Sequence, residues 1–190
     1  MQQETKSTSW HLQEVIWLAL IGIAFGLIYW LMDSVYQVTG VLLGAVGLQP
    51  LNDELTLGPW MMAGPLASYL LRRVGADVLG ELLGAAGEML LGGTFGVSTL
   101  LSGVIQGVGS ELGFALTGYR NWKTGLWLST LTGTIVTFAW SMIKSGYLHY
   151  SWSMLLILFI ARFISIFIFA GVLVYWIVNL LERSQILKKR

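Results

Sequence analysis

Cysteine is absent, histidine occurs twice, proline three times, and only 11% of the 190 residues are charged. Without cysteine the chain forms no disulfide and no thiolate metal site, although the redox compartment stays undecided. Soluble domains carry roughly 25% charged residues, so this shortage excludes an ordinary water-facing surface. A net charge of +1 provides no concentrated basic face and argues against nucleic acid as a partner. There is no H-E-x-x-H pair, and His11 and His149 lie apart from the acidic residues. There is also no G-x-x-x-x-G-K-[ST] loop, so neither a metallopeptidase nor an ATPase is written in this chain. No catalytic residue, metal ligand set or resident cofactor is expected.

What is present is apolar. Hydrophobic residues make up 55% of the chain and the mean hydropathy is +0.71, the values of a membrane protein. The first apolar run, from Val15, is too long for a signal-peptide core and ends in Tyr29, Trp30 and Asp33 without a small-residue cleavage site. With roughly 20 residues per transmembrane helix, six spans are expected at about 13–33, 57–71, 75–93, 96–116, 124–144 and 153–181. The expected fold is all-α and integral to the membrane, a six-transmembrane-helix bundle forming one domain over residues 1–190.

An even number of spans puts both termini on one side. Lys6, Arg72, Arg73, Arg120, Lys123, Arg183, Lys188, Lys189 and Arg190, nine of the eleven basic residues, fall on that side, which the positive-inside rule makes cytoplasmic. Residues 1–12 then form a cytoplasmic N-terminus and 183–190 a basic cytoplasmic C-terminus, in the cell membrane. Residues 34–56 form the longest outer connection and are themselves apolar. They read as a lid folded over the bundle, with Gly47, Pro50 and Asn52 at its turns; an interfacial helix resting on lipid is the other reading.

Spans two and three are irregular. The second is short and holds Pro59 and Pro65; the third is interrupted by Gly80, Gly84 and Gly87 and carries Asp77, Glu81 and Glu88. Interrupted membrane segments point to binding sites, because irregular backbone at that depth is tolerated only against protein or a cavity. At about 100° per residue the three acids fall within an arc of about 40°, on a face that must look inward. Span four repeats the pattern with Thr99, Gln106 and Ser110 on one face. Glu111 projects about 140° from Gln106 and reads either as a ligand contact or as an ion pair with Arg162 or Arg120.

Arg162 is the only base within a span, so the acids are in excess. Either some are protonated and hold helices together, or a cationic, donor-rich ligand completes the site. A carboxylate, an amide and aromatic walls suit a small heteroaromatic cation. Glu88, Glu81 and Gln106 are the polar candidates, Trp60, Tyr36 and Trp140 the aromatic ones, and Asn52 reaches in from the lid. The outer half shows no arginine cluster, so an unphosphorylated ligand is expected. On the first helix, Ala19, Gly22 and Gly26 form a small-residue stripe suited to docking a partner or to packing within the bundle.

The stretch "GPWMMAGPLASYLLRRVGADVLGELLGAAGEMLLGGTFGVSTLLSGVIQGVGSELGFALTGYRNW", residues 58–122, closely resembles the YkoE-type S components of energy-coupling-factor (ECF) vitamin transporters. Trp60, the paired arginines, Glu81, Glu88, "GVST", the run carrying Gln106 and Glu111, and "GYRNW" carry the match. Val74 stands where many relatives have proline, in a cytoplasmic turn away from the expected site. The resemblance implies a substrate-capture protein for thiamin or its hydroxymethylpyrimidine precursor. It also implies a transmembrane T component and two cytoplasmic ATPase domains that use ATP. The competing reading is a stand-alone proton-coupled transporter of a small organic cation, with Glu81, Glu88 and Glu111 as a relay; the chain shows no obvious inverted repeat to favour it.

Overall fold

Helix α1, Leu12–Ala45, runs well past the end expected at residue 33. Nothing in residues 34–45 stops it: the first proline after it is Pro50, and the chain turns only at Gly47, whose φ of +75° suits glycine. In the computed structural model, which describes residues 10–184, the 34 residues of this helix reach about 51 Å at 1.5 Å per residue. That exceeds the roughly 30 Å of a hydrocarbon core. The expected lid over 34–56 is therefore corrected: its first half is the C-terminal part of α1. Only the second half folds back, as the short helix α2, Pro50–Thr56, with proline at its first turn.

A 3₁₀ turn, Gly58–Met61, leads into α3, Ala63–Leu71, and α4, Ala76–Leu90. These are the two irregular segments, with helices of nine and 15 residues, each shorter than a full crossing at 1.5 Å per residue. Helix α5 covers Ser98–Leu116 and α6 Trp122–Lys144. Helix α7, Trp152–Ile166, continues through a π-helical segment, Phe167–Leu173, into α8, Val174–Arg183. Among the described residues, four stretches are long and apolar enough to cross a membrane: Leu12–Ala45, Ser98–Leu116, Trp122–Lys144 and Trp152–Arg183. Among the described residues there is no strand. This is an all-α, multi-pass membrane protein, and its outward faces, including Leu20, Ile23, Leu27, Leu156 and Ile160, are exposed apolar surface.

Helix α4 lies between α1, α3 and α5. Against α1 the backbones meet directly: a Cβ placed on Gly26 would lie 2.7 Å from the Gly87 Cα, and one on Gly22 would lie 2.7 Å from the Leu83 Cβ. The small-residue stripe is thus mostly internal. Gly22 and Gly26 are buried against α4 and unavailable to a partner, while Ala19 faces outward. At one end of the bundle Arg73 binds Glu14 at 2.9 Å and Arg72 meets Glu182 at 3.2 Å. These pairs gather the start of α1, the end of α8 and the α3–α4 turn at the same end. Lys6, Lys188, Lys189 and Arg190 lie outside the described residues.

Candidate functional site

The three acids of α4 are all buried: Asp77 and Glu81 are 0% exposed and Glu88 is 1% exposed. Their surroundings divide them into two groups. Glu81 accepts from the Tyr29 hydroxyl at 2.7 Å and from the Gly64 N–H at 2.8 Å, and the Ala63 N–H donates to the Tyr29 oxygen at 3.1 Å. It ties α1, the start of α3 and α4 together with both oxygens engaged. Asp77 accepts a short hydrogen bond from the Ser110 hydroxyl of α5. These two acids hold helices.

Glu111 holds a helix as well. Its carboxylate accepts from the Gly75 N–H at 2.9 Å and the Asp77 N–H at 3.0 Å, capping the N-terminus of α4, where unpaired N–H groups and the helix dipole favour a negative charge. It lies off the cavity that Glu88 lines, and among the described residues it makes no ion pair with Arg162 or Arg120. Arg162 is engaged with Glu54, through Nε at 2.5 Å and Nη2 at 2.9 Å. Tyr147 also donates to Glu54, at 2.6 Å. The Tyr147 phenol, on the turn between α6 and α7, is held well above its ordinary range by burial and then by that carboxylate, so it remains a donor.

Glu88 stands apart from these. It lines a cavity of about 420 Å³, and neither of its oxygens completes a hydrogen bond, although the Trp60 indole lies within reach of an interaction. Three rings that also line the cavity, Tyr36, Trp60 and Phe95, meet edge to face with centroids 5.4–6.4 Å apart, the separations aromatic clusters favour. Gln106, Thr99 and Ser102 form the α5 wall, and Trp140, Ser141 and Lys144 the α6 wall, with Arg162 behind.

Of the residues singled out from sequence, the structure brings Glu88, Gln106, Trp60, Tyr36 and Trp140 to one cavity. Glu81, Glu111 and Asn52 are not among its lining. Asn52 is completely buried, accepting from the Thr39 hydroxyl at 2.6 Å and donating to the Tyr36 carbonyl at 3.1 Å. It fastens α2 to α1, and Tyr36 adds a bond from its hydroxyl to Asp53 at 2.7 Å. Four contributors escaped sequence reasoning. Phe95 sits in the α4–α5 loop, where no periodicity points to it. Asp33 accepts from the Thr94 N–H at 2.7 Å and so anchors that loop. Lys144 lies four residues beyond Trp140, a spacing that shares a helix face and is visible in the sequence. Arg162 was visible too, but as a counter-charge only.

This arrangement defines a class: a membrane-embedded binding protein with a pocket that joins an unpaired carboxylate to an aromatic wall. The description "ABC-type cobalt transport system, permease component" belongs to a family whose model matches residues 13–139. The Bacillus subtilis (strain 168) protein named "Putative HMP/thiamine permease protein YkoE" is 30% identical over 166 residues, covering 87% of this chain and 81% of that protein. A solved structure described as "Crystal structure of an S-component of ECF transporter" matches with a TM-score of 0.83 and 28% identity, covering 94% of this chain and 88% of that one. The chain belongs to the S-component family of ECF transporters and is related to YkoE. It is a transport subunit of a bacterial type.

Proposed function

We propose that this chain captures thiamin or its hydroxymethylpyrimidine precursor from the outer side of the cell membrane. It then passes the ligand inward with a T component and two cytoplasmic ATPase domains. In this reading the chain is a single domain of six spans, α3 and α4 being the short ones, with both termini cytoplasmic and α2 as the outer lid. The observation that carries the reading is Glu88, buried with both oxygens unpaired beside the Tyr36–Trp60–Phe95 rings. A buried carboxylate without partners is a strong penalty that a donor relieves. The aminopyrimidine ring supplies N–H donors to Glu88, and ring faces attract the thiazolium charge of thiamin.

The cavity volume lies within the range of small-molecule pockets, and Gln106 adds an amide able to pair with a ring edge. Cobalt, the cargo in the family's description, finds less support: among the described residues no group of three or more His, Cys, Asp and Glu side chains is placed to hold a metal ion. The test is a titration of the purified, detergent-solubilised protein with thiamin and hydroxymethylpyrimidine, followed by calorimetry and tryptophan fluorescence. Submicromolar binding with a change in tryptophan emission is expected. Absence of binding to either, in protein shown to be folded, overturns the reading.

A further inference from the structure

Unpaired hydrogen-bonding groups are unevenly distributed around the cavity. On the α4 side, Glu88 offers two acceptor oxygens. On the α6–α7 side, Trp140 Nε1 and Arg162 Nη1 are buried without a partner, and Lys144, on the same wall, makes no ion pair among the described residues. Indole, guanidinium and ammonium groups donate and never accept. Of the acceptors nearby, Glu54 is engaged by Arg162 and Tyr147 and Ser141 by Arg162 Nη2 at 2.8 Å, while Asp53, also in the cavity lining, accepts from Tyr36 through Oδ1. Those bonds lock the guanidinium, 1% exposed, with Nη1 as its one free nitrogen. Glu54 balances the charge of Arg162, whereas the charge of Lys144 stands uncompensated by any ion pair.

We propose that Trp140, Lys144 and Arg162 form a subsite for an oxygen acceptor at the end of the ligand remote from Glu88, able to take a phosphate monoester as well as a free hydroxyl. The inference rests on the capture reading above and narrows its ligand class to an aminopyrimidine-type heteroaromatic that carries oxygen at its far end. It also reverses the expectation of an unphosphorylated ligand. That expectation relied on an outer half without an arginine cluster, and Arg162 and Lys144 both line this cavity.

The test uses the full chain in detergent at low salt, titrated with thiamin, thiamin monophosphate and hydroxymethylpyrimidine, alongside Lys144→Met. Lys144 is exposed, so that substitution leaves the buried pair intact, and the ligand series on the unaltered protein needs no variant at all. The monophosphate is expected to bind at least as tightly as thiamin. Lys144→Met is expected to weaken the monophosphate about tenfold, the size of one charge-assisted hydrogen bond, and thiamin much less. Weaker binding of the monophosphate than of thiamin, or an equal loss for both ligands in Lys144→Met, overturns the subsite and leaves the capture reading standing. No binding of any of the three ligands to folded protein overturns both.

Discussion

Replacing Glu88 by glutamine preserves size and shape while removing the charge and turning one of the two acceptor oxygens into a donor. Among the described residues neither oxygen completes a hydrogen bond, the Trp60 indole being the one donor within reach, so the effect of the substitution falls mainly on the ligand. A hydrogen bond to a charged group contributes about 1.5–3 kcal/mol, and each 1.4 kcal/mol is a factor of ten in affinity. Glu88→Gln is therefore expected to weaken thiamin binding by about 10- to 150-fold. The loss sits at the upper end if the introduced amide also opposes an N–H of the ligand. Calorimetric titration of both proteins measures the ratio, and a thermal unfolding curve in the same detergent checks that the fold is intact. Asp77→Asn is the control, because Asp77 is bonded to Ser110 and is absent from the cavity lining. Equal affinities for the two variants would refute the assignment of Glu88 as the ligand's anchor.

Tyr29→Phe removes the donor to Glu81 and the acceptor for the Ala63 N–H. A lower thermal midpoint, equivalent to about 1–3 kcal/mol, is expected, with less change in affinity than Glu88→Gln causes. Gly26→Ala pushes a methyl group into the Gly87 backbone and is expected to destabilise by about 1–3 kcal/mol. Ala19→Leu, on an exposed position, leaves the thermal midpoint unchanged, and the reverse order would place the tight contact elsewhere. Glu54→Gln leaves Arg162 buried without its counter-charge and is expected to destabilise by about 3–5 kcal/mol, again read by thermal unfolding; an unaltered midpoint would mean that the pair is not what fixes α2 to α7.

Periodicity made the inward face of α4 legible, since three acids within one arc have nowhere to go but the interior. It could not rank them. Glu81 and Glu88 occupy the same face, and only the positions of Tyr29 and Gly64, brought from distant parts of the chain, make the first a strut and leave the second available. Glu111 was misplaced for a similar reason: its partners are backbone N–H groups at the start of α4, which carry no side-chain signature. The lid is shorter than a bilayer-length α1 implies, because α1 continues for 34 residues to Ala45 and the chain turns only at Gly47. The glycines of α1 suited either a partner or the bundle, and a stripe of small residues does not say which neighbour it meets; Gly22 and Gly26 meet α4.

The meeting of Gly26 with Gly87 has a consequence for distance measured along the bundle. Two helices that touch backbone to backbone have almost no freedom to slip, so this point acts as a fixed zero on both scales. Glu88 follows Gly87 by one residue, and Asp33 follows Gly26 by seven, almost two full turns. The depth of the free carboxylate and the height of the α4–α5 loop that Asp33 holds are thus set from a single origin. One residue inserted between Gly87 and Glu88 would swing the carboxylate by about 100° and take it out of the pocket, even with every other lining side chain retained.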